Sequence, residues 1–507
     1  MSSESKESIN ISLVQTKRGN IFFTDEKKEI IVNTGAARIK VVIRDYWDNE
    51  YASFTESVTG GSVTVRLPVD EPGYYELYVC TVNENDVKTQ PVKTTLAVLT
   101  PFDFTKYTWE QSDFGMGVHL NTDYEGWERD MVREVSWMGA KLIRDDIPWR
   151  LFENPKGKYT LDYEPQRSMM VERNMAFIMA SGYTNKFYDD EMTPYTADGQ
   201  EGFANYICNA ATEFGPAMVA VDVHNEFWGM GSRGDSPAQS KAEYYFPLLK
   251  KAYETVKKEH PNLIMLSDMT HNNEVFDGWY ETILEKGAGD YMDGIFPHPY
   301  YQHFRPEIII PERYMNFIGE MHKKYNVTGK RVWFTEQGST VAEQDMTELI
   351  QAQYVPRAYV IGKEYGVEKA IYYDFMDDGI DEKEGEHNFG FIRNKAHKLG
   401  AYSPKASFVT YSAMTRQLTN TDYIGGEVSE EGIYLHKFLN ENQKTVNVIW
   451  SLENKDINIA TEQPLEVVNV VGGSRTISPE NGRISLAASP DVLYVIGDVN
   501  ELTCADE

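Results

Sequence analysis

Between residues 114 and 420 the sequence alternates eight times between a short apolar run and a longer stretch of helical character. The runs are FGMGVHL, KLIRDDI, MAFIMAS, MVAVDVHN, LIMLSD, DGIFPHPY, RVWFTEQG and KAIYYDF. Runs of this length that are apolar throughout fit strands covered on both faces, as in a parallel sheet. The stretches between them include GWERDMVREVSWMG, QSKAEYYFPLLKKAYETVKK, PERYMNFIGEMHKKY and MTELIQAQYVPRAYVIGKEYG, and PKASFVTYSAMTRQL follows the last run. Tyr244, Tyr245, Leu248, Leu249 and Tyr253 share one face at helical spacing, which predicts a helix with that face buried. Eight strand–helix units predict an α/β chain built on a (β/α)8 TIM barrel; a doubly wound sheet seldom needs so many.

The flanks read differently. Residues 10–100 contain ARIKVVIRDY, SVTVRLPV and YYELYVCTV, separated by turn signals at Gly60-Gly61 and Pro72-Gly73. After residue 420 come GIYLHKF, KTVNVIWS, LEVVNVVGG, GRISLAA and DVLYVIGD. Both flanks predict antiparallel β-sandwiches. The expected domains are an N-terminal sandwich over 10–100, a barrel over 111–419 and a C-terminal sandwich over 420–500.

A formal charge of −29 repels nucleic-acid phosphates and anionic lipid heads, so neither is an expected partner. Cys80, Cys208 and Cys504 lie far apart and form no zinc or disulfide framework. No apolar run reaches membrane-spanning length, and the N-terminal MSSESKESIN lacks the apolar core of a signal peptide. Either a cytoplasmic or a secreted mature chain fits this pattern.

Active sites of such barrels form at the C-terminal ends of the strands. There the sequence places His119 and Asn121, then Arg144, Asp145 and Asp146 with Trp149 beyond, then Tyr183. His224-Asn225-Glu226 end the fourth run, His298-Pro299-Tyr300 the sixth, Thr335-Glu336-Gln337 the seventh and Asp374 the eighth. Two carboxylates on strands 4 and 7 suit glycoside hydrolysis, in which one must be protonated to act as acid and the other ionised.

The strings VHNEFW and WFTEQG, 110 residues apart by their glutamates, resemble the strand-4 and strand-7 segments of clan A glycoside hydrolases. HPY, MGAKLIRDDIPW and YYDFMDDG…EHNFGFIR are similar to segments of family 39, which contains β-xylosidases and related enzymes. The resemblance covers about residues 114–420. It implies a retaining β-glycosidase acting on a plant, algal or microbial saccharide, with Glu226 as acid/base and Glu336 as nucleophile. It further implies that Asn225 bonds a sugar hydroxyl, that Tyr300 orients Glu336, and that Arg144 holds Glu336 ionised. His298, His119, Trp149, Trp228, Trp333 and Asp374 are candidate sugar contacts. Many clan members end strand 8 with a sugar-stacking Trp, whereas this chain reads Ile371-Tyr372-Tyr373-Asp374-Phe375.

No cofactor or metal is expected. Gly229-Met230-Gly231-Ser232-Arg233-Gly234 matches GxGxxG but follows the wrong strand for a dinucleotide fold. The acidic group Asp374, Asp377, Asp378, Asp381, Glu382, Glu384 and Glu386 reads as a solvated loop rather than a calcium site. The competing classes are a degenerate barrel that binds glycans without cleaving them, and a transglycosylase.

Overall fold

The computed structural model describes residues 10–82, 89–120, 127–160, 163–227, 241–269, 278–302 and 304–505. By contacts the chain divides into two compact units. One comprises residues 103–339 and 357–375, and the other residues 1–102, 340–356 and 376–507. This differs from the expected three-part division: residues 340–356 and 376–419 group with the flanking strands rather than with the barrel.

Eight parallel strands close the barrel of the first unit. They are β1 (Phe114–Gly117), β2 (Leu142–Asp146), β3 (Ala176–Ala180), β4 (Met218–Val223), β5 (Ile264–Ser267), β6 (Gly294–Ile295), β7 (Arg331–Phe334) and β8 (Lys369–Tyr372). Register runs from neighbour to neighbour, and β8 returns to β1 through Ile371 opposite Gly115. Nearly every barrel-strand residue is buried, which is why the strands read as continuous apolar runs rather than as alternating ones. Leu142, Ile178, Leu266, Phe296, Trp333 and Ile371 fill the interior. Gly115 is required there, because a Cβ would stand 2.7 Å from Ile371 Cγ1.

The helix Ala242–Glu259 buries Tyr245, Leu248, Leu249, Ala252 and Val256. Tyr244 and Tyr253 sit at the margin of that face instead. The Tyr253 hydroxyl reaches Asp293 Oδ1 at 3.4 Å and so keeps a polar end near water. Lys257 and Lys258 close the last turn, where positive charge complements the exposed carbonyls.

The second unit contains the flanking sheets. In the N-terminal part Ile11–Gln15, Glu29–Thr34 and Ser62–Arg66 form a three-stranded sheet. A five-stranded sheet runs in the order Ile21–Phe23, Val92–Leu99, Gly73–Thr81, Arg38–Arg44, Glu50–Ser57. Alternate residues such as Ile39, Val41 and Ile43 pack into the shared core with Val65, Leu77 and Val79. The C-terminal part has a six-stranded and a three-stranded sheet around Ile433, Ile449, Ile457, Val467 and Ile484. Cys80, Cys208 and Cys504 are free thiols. Among the described residues no helix is long and apolar enough to cross a membrane.

Candidate active site

The end of β4 is bent sharply. His224 and Glu226 both take positive φ, +60° and +48°, a region that non-glycine residues occupy at a cost. Ser181 holds the bend: its hydroxyl receives His224 N–H at 3.0 Å and its carbonyl receives Asn225 N–H at 2.6 Å. The bend lets consecutive residues serve different partners.

Arg144 on β2 is the hub. Its Nε donates to Asp222 Oδ2 at 2.7 Å, its Nη1 to Glu336 Oε1 at 2.7 Å and its Nη2 to Asn225 Oδ1 at 2.6 Å. Burial opposes the guanidinium's charge, but Glu336 and Asp222 outweigh it and raise the pKa. The other oxygen of Glu336, Oε2, receives the Tyr300 hydroxyl. Burial pushes the Tyr300 pKa well up, and the charge of Glu336 adds to that. Tyr300 therefore keeps its proton and remains a donor. Glu336 thus has a guanidinium on one oxygen and a hydroxyl donor on the other.

Glu226 stands in a different setting. His298 Nδ1 lies 2.9 Å from Glu226 Oε1 and 3.5 Å from Glu336 Oε2. His298 Nε2 faces Thr335 Oγ1 at 3.1 Å. Burial works against a charged ring, yet Glu336 and Glu226 together raise the His298 pKa. One atom each from Glu226, His298 and Glu336 lies within 4.8 Å of the others. Three such groups can hold a cation. Here Arg144 already brings positive charge to Glu336, and the ring sits between two carboxylates, so the set is suited to sharing protons.

The remaining candidates divide. His119, part-exposed, reaches Asp374 Oδ2 at 3.5 Å, and Asp374 is 1 % exposed. The Tyr373 ring lies edge-on to His119 at 6.0 Å and to Tyr300 at 6.3 Å. Trp149 and Trp333 are core residues and not sugar contacts. Trp149 is sandwiched between Tyr188 and Tyr206, with its N–H bonded to Glu153 Oε2 at 2.7 Å. Trp333 lies inside the barrel, with its N–H on Glu368 Oε2 at 3.1 Å. Trp228, Asn121 and the GxGxxG segment 229–234 lie outside the described residues.

Asp145, next to Arg144 in sequence, takes no part in the hub. It accepts Leu120 N–H at 2.7 Å and Asp146 N–H at 2.8 Å, and burial raises its pKa well above the usual range. Two site residues escaped the sequence reading: Asp222 and Tyr314, whose hydroxyl donates to the His298 carbonyl at 3.1 Å. Asp222 had a usable signal, because a charged residue inside an apolar strand needs a buried partner, and Arg144 is its counterpart.

The chain forms a closed eight-stranded parallel barrel with two carboxylates at the ends of β4 and β7, a fold it shares with solved structures of glycoside hydrolases. A family 39 glycoside hydrolase from the gut symbiont Bacteroides cellulosilyticus WH2 superposes with a TM-score of 0.76 at 22% identity, over 96% of this chain and 100% of that one. The catalytic domain of GH30 xylanase C from Talaromyces cellulolyticus superposes with a TM-score of 0.54 at 13% identity, over 78% and 98%. A glucosidase from Croceicoccus marinus gives 0.54 at 12% identity, over 77% and 97%. No family model and no curated protein sequence matches the chain. The likeness to family 39 expected from sequence is met at the level of the fold.

Proposed function

We propose that this chain is a retaining β-glycoside hydrolase that acts on a plant, algal or microbial oligo- or polysaccharide by double displacement. The observation that carries the reading is the pair Glu226 and Glu336, with carboxylate oxygens within 4.8 Å of one another in unlike settings. Retaining enzymes keep their two carboxyls about 5–5.5 Å apart, whereas inverting ones need about 6.5–9.5 Å to admit a water.

In this reading Glu336, held ionised by Arg144 and Tyr300, attacks the anomeric carbon. Glu226 protonates the leaving oxygen, then takes a proton from the water that releases the glycosyl-enzyme. Asn225 has its carbonyl committed to Arg144, so its amide N–H groups are the ones turned to donor work, here toward a sugar hydroxyl. His119 and Asp374 offer further polar contacts, and the Tyr373 ring takes the place of the usual Trp floor.

A panel of aryl β-glycosides tests the proposal. Wild type is expected to release the aryl group with net retention at the anomeric carbon. Glu226→Ala is expected to keep activated aryl substrates at the glycosylation step while losing those with poor leaving groups by about 10²–10⁴-fold, since only the latter need the acid. Azide is expected to restore turnover partly in Glu336→Ala. Full activity of Glu336→Ala without azide rules the proposal out.

A further inference from the structure

The regular ladder between β3 and β4 ends where Ala180 pairs with Asp222, and Ser181 follows, fully buried. Ser181 N–H donates to the Asp222 carbonyl at 3.2 Å, and the Ser181 carbonyl accepts Asn225 N–H at 2.6 Å. His224 lies between those two main-chain bonds with its own N–H unserved by them, and it too is fully buried. A buried N–H needs an acceptor. The Ser181 hydroxyl is that acceptor at 3.0 Å, and it passes its own proton to the Asp222 carbonyl at 2.6 Å. Both directions are fixed, because a main-chain N–H only donates and a carbonyl only accepts.

This hydroxyl sits under the one stretch of β4 that is bent, with positive φ at His224 and Glu226. The neighbours of that stretch have other anchors. Asp222 keeps Arg144 Nε on its side chain, and Asn225 keeps Arg144 Nη2 at 2.6 Å. Glu336, beyond β7, takes its donors from Arg144 and Tyr300. Glu226 is the last residue of the bend, which delivers its Oε1 to His298 Nδ1 at 2.9 Å. We propose that Ser181 is a positioning residue for the acid: its hydroxyl locks the His224 peptide and so sets where Glu226 carries its proton, while the nucleophile is held by a separate set of bonds. This rests on the glycosidase reading given above.

Ser181→Ala tests this, because it keeps both main-chain bonds and removes the hydroxyl alone. The buried His224 N–H then lacks its acceptor, and the peptide is expected to turn and carry Glu226 with it. A displaced acid costs rate only where the leaving oxygen needs a proton. For an aryl β-glycoside with a poor leaving group, kcat/KM is expected to fall about tenfold or more, and for a dinitrophenyl glycoside less than about threefold. The second half-reaction uses Glu226 as base, whereas azide attacks the anomeric carbon without one. Azide is therefore expected to raise kcat of Ser181→Ala on the dinitrophenyl glycoside and to leave wild type unchanged. In that step a C–N bond forms, the ester bond to Glu336 breaks, Glu336 departs as its carboxylate, and the glycosyl azide keeps the configuration of the substrate. A serine with a structural role alone lowers all substrates alike. Ser181→Cys retains a weak donor and acceptor and is expected to fall between, and it carries the same comparison where the alanine variant does not fold. A crystal structure of either variant gives a reading independent of turnover: Glu226 is expected to move off His298 while Glu336 stays bonded to Arg144 and Tyr300. Equal losses on both substrates without an azide response overturn the proposal, as does an unmoved Glu226. A wild type that cleaves no aryl β-glycoside overturns the glycosidase reading instead, and the crystal structure still decides whether Ser181 sets the position of Glu226.

Discussion

Each of the two units buries a cluster of charges, and the clusters are built on opposite terms. In the unit with the flanking sheets, Arg393 Nη2 meets both oxygens of Glu348 at 2.6 Å, and Lys405 Nζ meets Asp377 Oδ1 at 2.6 Å. Arg393 Nη1 also donates to Thr95 Oγ1 and the Pro404 carbonyl. Cations and carboxylates there match one to one. In the barrel, Arg144 faces Asp222 and Glu336 while Glu226 stands close by, so three carboxylates share one guanidinium and a histidine. A matched cluster holds chain segments together. In the proposed function the unmatched one supplies the acid and the nucleophile, and perturbed charge clusters of that kind are tolerated where chemistry needs them.

The contrast is tested first where the effect is largest. Glu336→Ala is expected to lower kcat/KM on aryl β-glycosides on the order of 10⁴-fold or more. Its melting temperature is expected to stay level or rise, because Arg144 keeps Asp222 and one surplus negative charge is gone. Lys405→Met in the matched cluster is expected to do the reverse. It leaves Asp377 buried and unpaired, which costs about 3–5 kcal/mol in denaturant unfolding, while kcat/KM of the folded fraction is expected to hold. Similar stability losses in the two variants would erase the distinction between the clusters.

The barrel was legible because parallel strands covered on both faces leave continuous apolar runs, and eight of them leave few topologies open. Glu226 and Glu336 were legible because each ends such a run. Their partners were less so: Asp222 sits within a run, and its link to Arg144 spans 78 residues that no local pattern connects. The two tryptophans were misplaced because an indole's chemistry suits a sugar face and a core equally, and only packing separates the two. The division into units was hidden for a related reason. Residues 340–356 and 376–405 are joined by the Arg393–Glu348 pair, a long-range contact without sequence periodicity.

A smaller effect sharpens the same line between site and scaffold. Trp149→Phe removes the bond to Glu153 and part of the stack on Tyr188 and Tyr206. A loss of about 1–3 kcal/mol is expected on chemical unfolding, with KM for aryl glycosides unchanged. A raised KM at full stability would return Trp149 to the list of sugar contacts.

The smallest expected effect sets one buried group of each unit, Asp377 and His224, against the other by the sign of its response to acid. Burial lifts the Asp377 pKa to about 6 despite Lys405. A carboxyl whose pKa is raised by folding adds stability that is present below its unfolded value near 4 and is lost as the pH rises through 6. Burial instead lowers the His224 pKa to about 4. That stability is present above 6.5 and is lost as the pH falls through 4. Within the same interval the two slopes oppose each other, so the wild-type melting temperature is expected to be flatter there than His224 alone would make it. Asp377→Asn removes one slope and leaves the other. Its melting temperature should fall more steeply than that of wild type between pH 6.5 and 4, by about 2–4 °C over the interval, in calorimetric scans at matched ionic strength. The steepness is the readout, because the substitution also weakens the Lys405 contact at every pH. Parallel curves for the two proteins would mean that Asp377 titrates in the fold as it does in the unfolded chain, and that the matched cluster is as indifferent to protons as an exposed ion pair.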